Sequence, residues 1–349
     1  MGRLSKILVK KLYTMNILPV IVETYGDPTE IYKDYRAYDA INEIRPYRLR
    51  IFNELFLKSV LPFGYFGLIK KLNMFTGLFD RDTIEMLGSD RRIKKVYLDR
   101  IVYTLSTVPE EGIYYFRGKP FTSTYWTKRL IRAHIANEKG FYGRGVRVAV
   151  IDTGVNLYHK QIGARWGSTE FYSVMPAQRL DANGHGPWCI TCIGGSLEID
   201  DVASGYAGKK VYVEGMAPAV DIVAIKALGY VIGMGSTSHI LKAIEVAIEK
   251  ACDIISMSLG GPVETDIPED DPHYSALEKV LRENIIPVVA AGNEGPEPGT
   301  ISTPGAMPQA LTVGAWDPIQ GKIADFSSRG PTPWVYIKPD VIAPGLNID

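Results

Sequence analysis

The sequence predicts an α/β fold, a doubly wound and mostly parallel sheet preceded by a small α+β unit. Near-continuous apolar runs at 145–151 and 220–225 are typical of parallel strands that are buried on both faces. A segment with helical spacing of apolar residues, 236–250, follows these runs. Before about residue 110 this alternation is absent, which indicates a separate unit.

The strands of the predicted sheet alternate with helices along the chain. Strands are predicted at 145–151, 220–225, 253–259, 285–291 and 310–315, and helices at 236–250 and 274–283. In a parallel sheet of this kind, functional groups gather at the carboxyl ends of the strands. This rule selects Asp152, the segment 258–261 and the segment 291–293 as candidate site residues.

The amino-terminal unit has its own pattern of elements. Residues 18–23 predict a strand, and 92–105 predict a strand pair. The stretch 43–78 is rich in Leu, Phe and basic residues and predicts a helical insertion whose aromatic side faces the core. The predicted organisation is a unit at 16–110, a linker at 111–125 and a larger domain at 126–349.

Composition excludes several classes of protein. Lys and Arg together number 39, as do Asp and Glu, so no global charge favours nucleic acid or an anionic membrane surface. No apolar run reaches the roughly 20 residues that span a bilayer. Three cysteines are too few for a disulfide framework.

The basic and then apolar stretch 1–22 predicts the entrance to a strand rather than a signal peptide, because Pro19 interrupts it and no small-residue cleavage site follows. The expected location is cytoplasmic if this amino terminus is complete, and secreted if it is not.

His185 lies between two glycines in a polar turn, which suits proton transfer near neutral pH. Asp152 could orient and stabilise its imidazole, and Asn293 could donate to an oxyanion. Each residue also has an ordinary interpretation: His185 as a surface-loop residue, Asp152 as an acceptor for a turn amide, and Asn293 as a turn residue with positive φ. Their joint occurrence at strand ends favours a site.

Six segments carry a family resemblance. They are 148–155 (VAVIDTGV), 183–186 (NGHG), 256–261 (SMSLGG), 290–295 (AAGNEG), 326–331 (FSSRGP) and 338–345 (KPDVIAPG). In this order they resemble the subtilisin-like serine proteases, and the resemblance covers roughly residues 125–349. It implies a subtilisin-like fold and hydrolysis of peptide bonds in proteins through an acyl-enzyme.

The resemblance also implies roles for single residues. Asp152 and His185 would be the acid and the base of the triad, and Asn293 would be the oxyanion amide. The residues implied to bind an extended peptide are Ser258, Leu259 and Gly260 on one side of a cleft, Gly233 and Gly235 on the other, and Ala291 and Gly292 beside the oxyanion amide.

The amino-terminal unit is similar to the prodomain of these proteases, and 93–100 resembles its last strand region. The resemblance implies a domain that assists folding and inhibits the cleft intramolecularly until it is cleaved. The alternative is an unrelated α+β domain fused in front. The chemistry requires no cofactor. The family commonly binds structural calcium, but the sequence assigns no ligands to it.

The helix that follows His185 departs from the family pattern. Pro187 and Trp188 stand where the family has Thr and a second His, and proline is acceptable in a first helical turn. Cys189 and Cys192 form a CxxC on this helix. Redox or metal chemistry is one interpretation of this motif. Packing is favoured, because the nearby His185 has another role.

The family's nucleophilic serine lies in a Gly-Thr-Ser-Met-Ala motif, and this motif is absent from residues 1–349. Ser327 and Ser328 belong to a different family segment. The expectation is therefore a fragment of a serine endopeptidase proenzyme that is inactive alone. The alternatives are a non-catalytic, peptide-binding or regulatory pseudoprotease, or a chain whose serine helix comes from another polypeptide.

Overall fold

The protein is described by a computed structural model. The described residues are 3–12, 17–36, 38, 67–105, 115–116, 119–120, 124–175, 181–200, 210–229, 233–346 and 348. Within them the chain forms an amino-terminal α+β unit and a larger α/β domain. No helix of these residues is long and apolar enough to cross a membrane.

The amino-terminal unit is a four-stranded sheet with helices on one face. Its strands are β1 (Ile17–Thr24), β2 (Gly67–Ile69), β3 (Met74–Asp80) and β4 (Ile93–Leu98), and its helices are α1 (Lys6–Leu12), α2 (Thr29–Arg36) and α3 (Arg81–Ser89). The strand order is β2-β3-β1-β4, so β1 lies between two antiparallel neighbours. This arrangement confirms the strand predicted at 18–23.

The prediction of a helical insertion at 43–78 is wrong for the part that the structure describes. Residues 67–78 are not helical but form β2, a 3-10 turn and most of β3. Six consecutive residues of β3 are buried, and a strand that is buried on both faces shows no two-residue alternation. The rest of the predicted insertion, 43–66, lies outside the described residues.

The stretch 1–22 enters a strand as predicted, since β1 begins at Ile17, but it also contains α1, which was not predicted. Leu4, Leu8 and Leu12 recur every fourth residue and are buried in the core of the amino-terminal unit, as a helical face requires. This core therefore extends to residues before the predicted start of the unit at 16.

The larger domain contains the sheet that the sequence predicts. Its elements are α4 (Thr124–Leu130), α5 (Ala133–Glu138), β8 (Arg147–Asp152), α6 (Lys160–Gly163), β9 (Thr169–Ser173), α7 (His185–Gly194), β12 (Asp221–Lys226), α8 (Thr237–Glu249), β14 (Ile254–Met257), α9 (Pro272–Arg282), β16 (Ile286–Ala290), β17 (Leu311–Asp317), β18 (Lys322–Ile323) and β19 (Val341–Pro344). The strand order is β18-β17-β16-β14-β8-β12-β9, with β19 on β17. Every described pairing in it is parallel except β17 with β18.

The remaining strands are short. They are β5 (Ile101–Thr104), β6 (Tyr115–Phe116), β7 (Lys119–Pro120), β10 (Ser196–Asp200), β11 (Lys210–Glu214), β13 (Met234–Ser236) and β15 (Leu259–Gly260). The predicted linker at 111–125 is thus not entirely irregular, since it holds the β6–β7 pair and the first turn of α4. The strand pair predicted at 92–105 consists of β4 and β5, which lie in different sheets.

The two units share a hydrophobic core. Ile21, Leu72 and Met74 on the second face of the amino-terminal sheet belong to the same buried cluster as Ile240 and Leu277 of α8 and α9. Burial of this contact removes apolar side chains of both units from water, which is the main stabilising contribution to their association.

Asp99 connects the units through the start of α8. Its carboxylate accepts hydrogen bonds from the backbone N–H of Ser238 at 2.9 Å and from the Ser238 hydroxyl at 2.5 Å. This places a negative charge at a helix amino terminus, which favours it. Burial nevertheless raises the pKa of Asp99 to about 6, against these hydrogen bonds.

Asp99→Asn is therefore expected to remove a pH dependence of stability. A carboxyl whose folded pKa lies above its ordinary value of 3.8 stabilises the folded chain most below pH 4, and this contribution is lost as the pH rises through 6. The difference in free energy of unfolding between wild type and variant should change by about 3 kcal/mol over this interval. Urea unfolding at pH 4 to 7 measures it, with the exposed Asp82→Asn as control. Parallel curves for wild type and Asp99→Asn would contradict the assignment.

Candidate active site

Asp152 ends β8 at the carboxyl edge of the main sheet. Its side chain is 1% exposed, because β14 and β12 flank the strand and α7 packs against it. The backbone N–H of Thr153 donates to Asp152 Oδ1 at 2.7 Å. Asp152 therefore does accept a turn amide, as in its ordinary interpretation. Its carboxylate can bind another group as well.

His185 is that other group. Its Nδ1 lies 2.8 Å and 2.9 Å from the two carboxylate oxygens of Asp152, which makes Nδ1 the donor. His185 is 7% exposed and begins α7, so its interpretation as a surface-loop residue is wrong. The turn before it requires Gly184, which has a φ of +94°.

Close packing brings the start of α7 onto the end of β8. The backbone N–H of Gly186 donates to the Thr153 hydroxyl at 2.9 Å, and a Cβ on Gly186 would lie 2.2 Å from the carbonyl oxygen of Gly154. Only glycine permits this approach. Pro187, one residue further, stands in the first turn of α7, where its missing N–H costs nothing.

The imidazole and the carboxylate form a tightly coupled buried pair. Burial lowers the pKa of His185, but the charge of Asp152 and the hydrogen bond to it outweigh burial and raise this pKa above its ordinary value. The second ring nitrogen, Nε2, is buried and has no hydrogen-bond partner among the described residues. The pair can therefore accept a proton at Nε2 and stabilise the resulting imidazolium.

Cys189 lies one helical turn after His185, with Sγ 3.8 Å from Nδ1. Ligand atoms of Asp152, His185 and Cys189 all lie within 4.8 Å of one another. Burial raises the pKa of the Cys189 thiol to about 11, so the thiol and not the thiolate is the form beside the imidazole. The direct bond of His185 to Asp152 already accounts for their proximity, so the cluster fits a proton-transfer pair beside a packed thiol.

A three-stranded sheet, β13-β5-β15, lies beside this pair and is called the cleft sheet below. Its outer strands contain Gly235 and the pair Leu259–Gly260, which are residues of the predicted cleft. Its middle strand β5 comes from the amino-terminal unit and pairs antiparallel with both. A Cβ on Gly233 would lie 2.6 Å from the Thr104 hydroxyl, so glycine is needed for β5 to fit.

The hydrogen bonds of the cleft sheet continue past β5 toward the Asp152–His185 pair. The N–H of Thr104 donates to Gly233 O at 2.8 Å, and the N–H of Leu105 donates to Ser258 O at 3.1 Å. Ser258 also acts to lower the pKa of the Cys189 thiol, which lies next to His185. The chain of contacts thus leads from Leu105 to the imidazole.

Asn293 lies in the turn after β16, half-buried. Since β14 separates β16 from β8, about 10 Å of sheet lies between the ends of these strands, and no hydrogen bond joins Asn293 to His185 in the described residues. The positive φ in this turn belongs to Gly292, at +118°, so the ordinary interpretation of Asn293 is wrong. Ala291 and Gly292 are buried beside it.

One residue near the pair was missed at the level of sequence. Lys226 is the last residue of β12, and its Cα partner in β8 is Asp152. The rule that functional groups gather at carboxyl ends of strands applies to β12 as well, and would have selected Lys226.

The larger domain thus combines a mostly parallel α/β sheet with an imidazole that a carboxylate orients at its carboxyl edge. Residues 143–348 match the subtilase family, which covers more than half of the chain. The chain belongs to the subtilase family.

Known proteins with similar sequences are named as serine proteases or subtilisins. The serine protease AprX of Bacillus subtilis (strain 168) is 33% identical over 277 residues, 75% of this chain and 57% of AprX. The major intracellular serine protease of the same strain is 30% identical over 227 residues, 63% of this chain and 64% of that protein. Subtilisin DY of Bacillus licheniformis is 33% identical over 225 residues, 63% of this chain and 71% of its own length. The match spans less than two thirds of either of the first two relatives.

Proposed function

We propose that the full-length gene product is a serine endopeptidase that hydrolyses peptide bonds in extended protein segments through an acyl-enzyme. The observation that carries the proposal is the buried Asp152–His185 pair, whose Nε2 has no partner among the described residues. A base in this state can take the proton of a serine hydroxyl as it attacks a carbonyl carbon. The family's serine motif is not within residues 1–349, so the proposed reaction needs a serine that these residues do not contribute.

In the proposed reaction, the groups that act on the substrate are side chains of the protein. The serine attacks the substrate carbonyl, and Nε2 of His185 receives its proton. Asp152 stabilises the imidazolium that forms. The side-chain amide of Asn293 donates to the oxyanion, and the imidazolium then returns the proton to the leaving amine. The step that follows repeats this sequence with water as nucleophile.

The substrate class follows from the cleft sheet. β13 and β15 offer backbone donors and acceptors to a strand between them, and such pairing recognises extended chains with little dependence on sequence. β5 is a segment of this kind. We therefore propose that the amino-terminal unit is an intramolecular inhibitor that fills the cleft with its own strand, and that the bond processed is the one after Leu105.

Proteolysis by the full-length gene product tests the central proposal. Incubation with a denatured protein should yield internal fragments, and a serine-directed phosphonylating reagent should abolish the reaction. Mass spectrometry of the product should also locate processing after Leu105. Intact substrate after the amino-terminal unit has been removed would overturn the proposal and leave a non-catalytic peptide-binding function.

Leu105→Asp is expected to weaken the binding of β5 between β13 and β15. The Leu105 side chain packs against Gly260, since a Cβ added to Gly260 would lie 3.4 Å from it. A carboxylate in place of this apolar side chain would lose water on binding, which costs free energy. A fluorescent peptide with the sequence of 101–105 should then bind the intact chain about tenfold more tightly, because the competing strand is weakened. Fluorescence anisotropy measures this affinity.

The matched control for this substitution is Met86→Asp, since Met86 lies on the same unit and is 48% exposed. Its affinity for the peptide should equal that of wild type. Equal peptide affinity for Leu105→Asp and wild type would contradict the inhibitory arrangement, but would not affect the proposed reaction.

A further inference from the structure

Lys226 is a buried cation next to the candidate pair. Its side chain is fully buried, at 0% exposure, and it is among the largest side chains in this state. β12 pairs in parallel register with β8, so Lys226 and Asp152 are adjacent in the sheet. Burial of a charged group costs free energy unless other charges and hydrogen bonds stabilise it, so the position needs a physical reason.

The Lys226 ammonium donates to the carbonyl oxygen of Thr153, which immediately follows Asp152. Thr153 in turn donates its N–H to Asp152 Oδ1, and its hydroxyl accepts from the N–H of Gly186. Lys226 therefore holds Thr153, whose N–H bonds the Asp152 carboxylate and whose hydroxyl bonds the backbone of Gly186, the neighbour of His185.

A second carboxylate completes the surroundings of the ammonium. Asp181 accepts hydrogen bonds from the N–H of Asn183 at 3.1 Å and of Gly184 at 2.9 Å, in the turn that leads to His185. The space beside Gly154 is bordered by the side chains of both Lys226 and Asp181. Among the described residues, the charged groups that act on Lys226 are Asp181 and Asp152, and the titratable groups that act on His185 are Asp152 and Cys189.

The charge of Lys226 is retained at neutral pH. Burial lowers the pKa of Lys226 to about 8, while Asp181 and Asp152 act to raise it. A positive charge at this distance from Asp152 offsets part of the attraction that the carboxylate exerts on an imidazolium. Without it, the carboxylate would hold the proton of the imidazolium more tightly, and a protonated imidazole cannot act as a base.

We propose that Lys226 is a positioning residue for the catalytic pair: its buried ammonium fixes Thr153 and offsets the charge of Asp152, which keeps His185 a weaker base than Asp152 alone would make it. That His185 is the catalytic base rests on the proposed function. The effect of Lys226 on its proton affinity does not, and can be measured in this chain without any activity.

NMR titration of the imidazole nitrogens of His185 tests the proposal, with the resonance assigned from its loss in His185→Gln. Lys226→Met should raise the pKa of His185 by about 1 to 3 units. Lys226→Arg, which keeps the charge, should stay close to wild type. Lys279→Met is the matched control, because burial also lowers the pKa of Lys279 to about 8 but this lysine lies on α9. An unchanged His185 pKa in folded Lys226→Met would overturn the proposal.

A second measurement applies if Lys226→Met does not fold. The 13Cε resonance of Lys226, assigned from Lys226→Arg, reports its own titration in Asp152→Asn, which preserves the shape of the aspartate side chain. Loss of the carboxylate charge should lower the pKa of Lys226 by about 1 unit or more. An unchanged value would show that the ammonium and the pair are not coupled, and would overturn the proposal as well.

Discussion

His185→Ala is expected to lower kcat/KM of the full-length gene product for a peptide substrate by about four orders of magnitude or more. The substitution removes the acceptor for the nucleophile's proton, and the loss of one triad member is nearly as severe as loss of all three. KM should change little, because the strands proposed to bind substrate are β13 and β15 and His185 lies on α7. Steady-state kinetics with a chromogenic peptide measures both constants.

The matched control is His159→Ala, since His159 is an exposed histidine that precedes α6. Its kinetic constants should remain within about twofold of wild type. Retention of more than about one hundredth of the wild-type kcat in His185→Ala would contradict the assignment of His185 as the base.

Asp152→Asn distinguishes the two roles within the pair. The amide cannot stabilise the imidazolium, so the raised pKa of His185 should fall. The acidic limb of the pH–rate profile should then move to lower pH, while kcat at neutral pH falls steeply because the imidazole loses its preferred tautomer. An acidic limb that stays at its wild-type pH in Asp152→Asn would show that Asp152 does not raise the pKa of the titrating group.

The Asp152–His185 pair could be predicted from sequence because it depends on local signals. A buried apolar run fixes where β8 ends, and glycines around His185 mark a close approach of backbone. Both residues then lie at one edge of a parallel sheet, whose topology follows from alternation of strands and helices. Cys189 was correctly predicted to pack, but its contact with His185 depends on helix rotation and was not predicted.

The cleft sheet could not be predicted in the same way. β5 pairs with β13 and β15, which lie more than 100 residues further along the chain, and only three-dimensional proximity joins them. Its two neighbours are two or three residues long, which is too short for periodicity to be informative. The strand β3 was not predicted for a related reason, since burial of both faces removes the alternation that marks a strand.

Arg100→Met is expected to destabilise the chain by about 3 to 5 kcal/mol, because it leaves a buried carboxylate without its guanidinium. Arg100 Nη2 lies 2.5 Å from an oxygen of Asp271, a side chain with 0% exposure in the larger domain. His273 and Thr303 also bond this carboxylate, at 2.8 Å and 2.9 Å. They remain in the variant, but the charge that Arg100 contributes from the segment between β4 and β5 is lost.

The control is Arg92→Met. Arg92 bonds Asp34 and Asp90 within the amino-terminal unit, but its side chain is 50% exposed, so the loss should be below about 1 kcal/mol. Urea unfolding monitored by circular dichroism gives both values. The double variant Arg100→Met with Asp271→Leu should recover part of the loss, because it removes the uncompensated charge.

The loss of stability in Arg100→Met should depend on pH in a definite direction. Burial alone would raise the pKa of Asp271, but the charges of Arg100 and His273 and the hydrogen bonds hold it well below its usual range. A depressed pKa stabilises the folded chain above the ordinary carboxyl value, and this contribution is lost as the pH falls toward the folded value. The difference between wild type and Arg100→Met should therefore be largest at neutral pH and should narrow below about pH 4. A difference that stays constant down to pH 3 would show that Arg100 acts by packing rather than through the charge of Asp271.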